Sequence, residues 1–337
     1  MDIYAMGYRG TDPENVCRVT AAHRNRFELM GRDGAALGIL KGQWAVLPTV
    51  GDFVRARPLP GGEMLMEALL PRRTLFERRD PTTGRDRGAQ AVAANMDYVF
   101  ILTSLNRDFR VERLERYLTL TWQSGAEPVI LLTKKDICPD PTPYEAQAQA
   151  LGASVHCVSA VTGEGMDELA AYLRPGVTAA LLGSSGVGKS SLVNYLMGED
   201  VMRTHATRSV DASKGSHTTT YRQLLFLPGG AMLMDTPGMR EMGMWDVSAG
   251  LGEAFPEIEA LEKACRFRNC GHQSEPGCAV RRALEAGDIS PKRYKQYLAL
   301  KKEARYSGSA GETERKIQEE KSALARAARR ERAGRGK

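Results

Sequence analysis

Between Asn15 and about Arg73, apolar and polar residues alternate in short segments broken by Gly, Pro and Asp turns: Val16-Cys17-Arg18-Val19, Arg26-Phe27-Glu28-Leu29-Met30, Leu37-Gly38-Ile39-Leu40 and Phe53-Val54-Arg55-Ala56. A period of two predicts strands. Many short strands with frequent turns predict a small β-barrel, for which an OB-like barrel is one candidate. The pattern then changes at Tyr98-Val99-Phe100-Ile101-Leu102, a continuous apolar run. An amphipathic helix is predicted from Val111 to Gln123, with Leu114, Tyr117, Leu118 and Thr121 at helical spacing. Strands at Val129–Leu132, Val155–Val158 and Ala179–Leu182 alternate with helices near Tyr144–Leu151 and Met166–Leu173. Such strands belong to a parallel sheet covered on both faces, so an α/β domain is expected. After Trp245 the pattern predicts helices without strands. The expected division is an OB-like β-barrel over 1–75, a basic linker over 76–91, the α/β domain over 92–245, a helical domain over 246–302 and a helical arm over 303–337.

Composition narrows the class. With 42 % apolar and 26 % charged residues in 337, the chain is neither disordered throughout, collagen-like nor a disulfide scaffold. The first residues lack the basic-then-apolar pattern of a leader, and no run of ~18 apolar residues occurs, so a cytoplasmic protein without a membrane partner is expected. The net charge is +6, from 47 basic and 41 acidic residues. Lys301 to Lys337 hold 12 basic and 6 acidic residues, which is the whole excess, so the arm is the expected contact for an anionic partner. Between Arg72 and Arg87 six arginines face three acids, offering a solvated loop or a phosphate-contacting one.

Cys17, Cys138 and Cys157 are isolated and read as small buried residues, whereas Cys265, Cys270 and Cys278 lie within fourteen positions, together with His272. Three thiolates and one imidazole complete a tetrahedral set of the closed, structural kind, which points to one zinc rather than to disulfides.

Gly183-Ser184-Ser185-Gly186-Val187-Gly188-Lys189-Ser190, followed by Ser191, matches G-x4-G-K-[ST] between a predicted strand and helix. Such a loop turns backbone N–H groups around phosphate oxygens, with Lys189 neutralising β/γ charge and Ser190 offering a hydroxyl to Mg²⁺. Asp235-Thr236-Pro237-Gly238 follows an apolar strand, where Asp235 would hold Mg²⁺ through water and the N–H of Gly238 would meet the γ-phosphate. Thr133-Lys134-Lys135-Asp136 resembles the Asn-Lys-x-Asp guanine motif of GTPases, with a threonine where the motif has asparagine. Its aspartate accepts from guanine N1–H and N2–H₂, donors that adenine does not present together, so Asp136 selects GTP. Ser159-Ala160 resembles the motif whose backbone N–H meets guanine O6. The base motifs precede the phosphate loop, the reverse of the usual order. A circular permutation is therefore expected.

Permuted order, phosphate loop, Gly215-Ser216-His217-Thr218-Thr219-Thr220, Asp235-Thr236-Pro237-Gly238 and Cys265-x4-Cys270-x-His272-x5-Cys278 together resemble the RsgA (YjeQ) family of ribosome-assembly GTPases. The resemblance covers nearly the whole chain. It implies a multi-domain fold: an N-terminal OB barrel, a central permuted P-loop GTPase and a C-terminal α-helical zinc-binding domain. It further implies a monomer acting on GTP and bound to the maturing small ribosomal subunit and its rRNA, which stimulates hydrolysis. By the same resemblance Arg203–Thr220 is the first switch and Thr219 reaches Mg²⁺, with Thr218 as the alternative. Met239 stands where Ras-like enzymes carry a water-orienting glutamine, which makes His217 the candidate for that role. Two other classes stay open at this point: a P-loop ATPase, and an RNA-binding assembly factor with a vestigial nucleotide site.

Overall fold

The computed structural model describes residues 2–23, 26–42, 44–79, 89–106, 109–202, 223–235, 251–252 and 254–301. Two compact units are present, Met1–Glu77 with Ala91–Met242 and Arg78–Gln90 with Gly243–Lys337. The arm expected over 303–337 lies outside the described residues.

In the first unit β1 (Val16–Ala22), β2 (Phe27–Gly31), β3 (Gly34–Leu40), β4 (Phe53–Pro58) and β5 (Met64–Leu69) run in the order β1-β2-β3-β5-β4, and β1 also pairs with β4 to close a five-stranded barrel. All these pairs are antiparallel except β3–β5. Alternation behaves as expected in β2, where Phe27 and Leu29 point inward and Glu28 outward. They join Cys17, Val19, Val54, Ala56 and Met66 in one apolar core, against which Trp44 packs.

Two further strands, β6 (Leu75–Arg79) and β7 (Ala89–Ala94), pair with each other at the flanks of the expected linker. The α/β part follows: β8 (Tyr98–Ser104), α1 (Val111–Ser124), β9 (Glu127–Thr133), α2 (Thr142–Gln149), β10 (Ser154–Val158), β11 (Thr178–Gly183), α3 (Lys189–Met197), β12 (Gln223–Phe226) and β13 (Met232–Asp235). Strand order is β10-β9-β8-β11-β13-β12, parallel apart from β12. Burial of β8 on both faces explains its unbroken apolar run. Phe100, Leu102, Val129, Leu131, Val158, Leu181, Leu192 and Leu233 fill the core. The helix expected at Met166–Leu173 is instead a 3₁₀ turn over Asp167–Ala171. Gly165 at φ +72° and Pro175-Gly176 bound the segment, and i→i+3 bonds from the N–H of Leu169 to Met166 O and from the N–H of Tyr172 to Leu169 O wind it tighter than an α-helix.

Barrel and sheet are continuous, since Ala21 of β1 pairs with Gln223 of β12. Charges are buried along this seam. The Arg18 side chain is fully enclosed, donates to the carbonyls of Met6 and Asn95, and lies with its guanidinium 5.0 Å from the Phe53 ring centre. Burial pushes its pKa down to about 9, which leaves it charged at neutral pH. Arg72 grips the buried Asp52 with two hydrogen bonds of 2.8 and 2.7 Å, and Arg73 pairs with Asp97 at 3.1 Å. These two arginines, read from sequence as part of a loop free to contact phosphates, are committed to internal pairs. Asp97 also accepts the N–H of Thr178, so the seam sits at the N-terminal ends of the parallel strands.

The second unit contains α4 (Pro256–Lys263), α5 (Ala279–Ala286) and a helix over 291–301 (α6), with no strand among its described residues beyond 251. Phe255, Ile258, Val280 and Tyr297 form its interior, with Phe255 and Tyr297 edge to face at 5.5 Å.

Candidate nucleotide site and metal centre

Five parallel strands end on one edge of the sheet, and each carries a motif or supports one. Gly183 ends β11, where a Cβ would stand 2.6 Å from the carbonyl oxygen of Leu102 in β8, so only glycine lets the loop leave here. Gly188 caps α3 at φ +100°, a left-handed conformation open to glycine. Between them Ser185 and Gly186 are exposed and Val187 is buried, which pins the loop to the core while leaving its rim open. The ammonium of Lys189 donates to the carbonyls of Gly183 and Ser184 at 2.6 and 2.7 Å, holding it across the loop.

Asp235 ends β13 opposite Leu181 of β11, and Ser190 stands in the first turn of α3. A hydroxyl and a carboxylate at neighbouring strand ends are hard oxygen donors, which fits Mg²⁺. His217, Thr218, Thr219, Gly238 and Met239 lie outside the described residues.

The two base motifs meet directly. Ser159, buried at the end of β10, donates through Oγ to Asp136 Oδ1 at 2.6 Å. Its hydroxyl also accepts the N–H groups of Val161 and Thr162, so one side chain shapes the loop that contains Ala160 and orients the carboxylate. Lys134 takes φ +63°, unusual for a side chain with a Cβ, and thereby turns the chain sharply between β9 and Asp136. Lys135 pairs with Glu164 at 2.9 Å, a hydrogen bond that raises its pKa. Asp136 itself is exposed, and among the described residues no hydrogen bond is made to its second oxygen.

Thr133 resolves the departure from asparagine. Its hydroxyl donates to the carbonyl of Val187 at 2.5 Å, fastening the end of β9 to the loop before α3. A short hydroxyl suffices for this because Thr133 is buried directly beside the loop. Arg113, not singled out from sequence, donates from α1 to Ser184 Oγ at 2.7 Å. No local pattern marks it, since its partner lies 71 residues away.

In the second unit Cys265, Cys270, His272 and Cys278 bring their ligand atoms within 4.8 Å of one another. Cys265 and Cys278 sulfurs are 3.9 Å apart, and His272 Nδ1 lies 3.6 and 3.5 Å from them. A tetrahedral zinc with bonds of about 2.3 Å to sulfur and 2.0–2.1 Å to nitrogen has edges of about 3.8 and 3.6 Å, so the donors fit. Glu275 organises the intervening loop by accepting the N–H groups of Gly271, Gln273 and Ser274, and its own backbone N–H together with these holds its pKa down to about 2. Burial works against ionising Cys265, but hydrogen bonds from the N–H groups of Val280 and Ala279 and from the Cys278 and Cys270 side chains together outweigh it and the pKa is lowered. Burial and the neighbouring thiols raise Cys270 to about 11.

Comparison with known proteins agrees with this geometry. The family profile described as RsgA GTPase matches residues 69–245. The chain is similar to the small ribosomal subunit biogenesis GTPase RsgA 1 of Listeria innocua, 44 % identical over 297 residues, covering 86 % of this chain and 83 % of that protein. The corresponding protein of Opitutus terrae is 42 % identical over 327 residues, covering 91 % and 88 %. Among solved structures, YjeQ from Thermotoga maritima matches with a TM-score of 0.62 at 26 % identity, covering 86 % of this chain and 98 % of that one. YloQ, described as a circularly permuted GTPase, shares the fold with a TM-score of 0.60 at 21 % identity, over 88 % of this chain and 98 % of its own.

Proposed function

Because the chain belongs to the RsgA GTPase family and is a GTP hydrolase, we propose that it binds the maturing small ribosomal subunit and couples subunit-stimulated hydrolysis to late assembly and its own release. The observation that carries the nucleotide reading is the junction of the two base motifs, Ser159 on Asp136, beside a phosphate loop held by Thr133. An ATPase would have no use for that carboxylate.

Asp136 accepts the guanine N1–H and N2–H₂, and the backbone N–H of Ala160 donates to O6. Loop N–H groups from Ser184 to Ser191 wrap the phosphates while Lys189 moves from the loop carbonyls to the β and γ oxygens, where charge accumulates in phosphoryl transfer. Mg²⁺, when bound, neutralises charge between these phosphates, and Ser190, Thr219 and Asp235 would hold it. Gly238 reads the γ-phosphate through its N–H, and His217 orients the attacking water in place of a glutamine, with subunit contacts completing the arrangement. Intrinsic turnover is therefore slow, and Lys189→Ala abolishes it.

In the domain scheme of this reading, the barrel (1–75), linker (76–91) and arm (303–337) contact rRNA, while 92–245 switches and 246–302 is organised by metal. The protein works as a cytoplasmic monomer. Zinc, when bound, cross-links the four donors Cys265, Cys270, His272 and Cys278 and stabilises a unit with few large apolar residues. Elemental analysis should find one zinc per chain; none, with Cys265→Ser leaving stability unchanged, rejects it.

The test of the whole measures GTP turnover with and without small subunits, alongside co-sedimentation in GTP and GDP. Stimulated turnover with tighter binding in GTP is expected. Equal binding in both nucleotides with no stimulation refutes the proposal.

A further inference from the structure

The imidazole of His272 is held from both sides. Its Nδ1 faces the sulfurs of Cys265 and Cys278, while its Nε2 lies 3.2 Å from Oε1 of Glu262, a carboxylate three residues before Cys265 at the end of α4. Glu262 is itself fixed by α6. Lys301 Nζ donates to Oε1 at 2.7 Å and Oε2 at 2.5 Å, and the Tyr297 hydroxyl donates to Oε2 at 2.9 Å. Lys301 also donates to the Tyr297 oxygen at 3.0 Å and sits 5.0 Å from the centre of its ring. Side-chain exposures of 10 % at His272 and 19 % at Glu262 keep water from replacing this bond easily.

A histidine ligand must present a bare lone pair to a metal, so its proton has to reside on the other nitrogen. A carboxylate at Nε2 enforces that tautomer and makes Nδ1 a better donor. The carboxylate here has a second set of partners, Tyr297 and Lys301, one helix turn apart on α6.

We propose that Glu262 is a positioning residue for the metal centre: it locks His272 with Nδ1 toward the thiolates and, through Tyr297 and Lys301, makes the order of α6 depend on metal occupancy. The proposal rests on the zinc reading above. His272, Glu262 and Lys301 form one continuous chain of contacts from the ligand cluster to the end of α6.

The experiment uses the full chain loaded with zinc. Affinity is read by competition with a chromogenic chelator, histidine ligation by the ligand-field spectrum after cobalt substitution, and α6 by amide hydrogen exchange over 291–301. Glu262→Ala should weaken zinc binding roughly 10–100-fold, alter the cobalt spectrum and raise exchange over 291–301 even with zinc bound. Glu262→Gln, which keeps an acceptor but can also present its amide, should lie between. Tyr297→Phe should raise α6 exchange with a smaller effect on affinity, and serves if Glu262→Ala does not fold. In the wild type, chelation should raise exchange over 291–301. Unchanged affinity and cobalt spectrum in Glu262→Ala overturn the positioning role, and exchange unaffected by chelation overturns the coupling to α6. A wild type that holds no zinc overturns the metal reading and this proposal with it.

Discussion

Arg72→Met should unfold the first unit more readily without primarily affecting nucleic-acid contact. The guanidinium makes two charge-assisted hydrogen bonds of 2.8 and 2.7 Å to Asp52, and a third of 3.1 Å to the carbonyl of Leu47. The Asp52 side chain is wholly buried and that of Arg72 only 12 % exposed, so solvent screens the pair little. Removing one partner of a buried pair costs about 3–5 kcal/mol, because the other charge is left uncompensated. Among the described residues, Asp52 then keeps only the N–H of Thr49 at 2.7 Å. Burial already raises its pKa, against the opposing pull of Arg72, and losing the arginine raises it further. With the folded pKa above the unfolded one, the native state gains protons as pH falls, so the deficit of the variant should shrink on acidification through that raised pKa and be largest at neutral pH. Urea denaturation followed by tryptophan fluorescence, at several pH values, measures both effects. Arg72→Met/Asp52→Asn should recover part of the loss, since no charge is then stranded. A variant within ~1 kcal/mol of wild type that binds rRNA more weakly would refute this account and return Arg72 to the phosphate-contacting role.

Other substitutions probe the nucleotide site. Thr133→Val removes the donor to Val187 O and should weaken GDP binding by ~1–2 kcal/mol, roughly 5–30-fold, in a fluorescent-nucleotide titration. Asp136→Asn keeps an acceptor for Ser159 but replaces a carboxylate by an amide, which should lower GTP affinity by about 100-fold or more and favour xanthosine nucleotides, whose O2 accepts the new donor. Deleting Glu303–Lys337 should reduce subunit binding and flatten its dependence on salt, with intrinsic hydrolysis retained, as measured by co-sedimentation over a salt series.

The phosphate loop and the Cys/His cluster were legible because their geometry is encoded locally: a loop of eight residues and four ligands within fourteen positions set their own spacing. Strands of the sheet were equally plain, because burial on both faces demands apolar residues throughout. What escaped depends on partners far apart in sequence. Arg18 alternates with apolar neighbours as a solvent-facing residue would, yet β1 is enclosed between barrel and sheet, and the arginine finds acceptors at Met6 and Asn95. Thr133 read as an asparagine lost, until Val187, 54 positions later, came within reach. Glu262 carried no mark at all, since an acid near a helix end is ordinary, and Lys301 reaches it from 39 positions away.

Strand order has a further consequence during synthesis. β8 pairs with β9 on one side and β11 on the other, so its second edge stays open until β11 has been made, roughly 80 residues after Tyr98. At about 5–20 residues per second this interval lasts ~4–16 s. For that time the nascent chain can display the unpaired backbone of an apolar strand, the kind of edge that recruits other chains. Permutation, by placing the phosphate-loop strand late, thus opens a window of aggregation risk that translation speed and chaperone supply must cover.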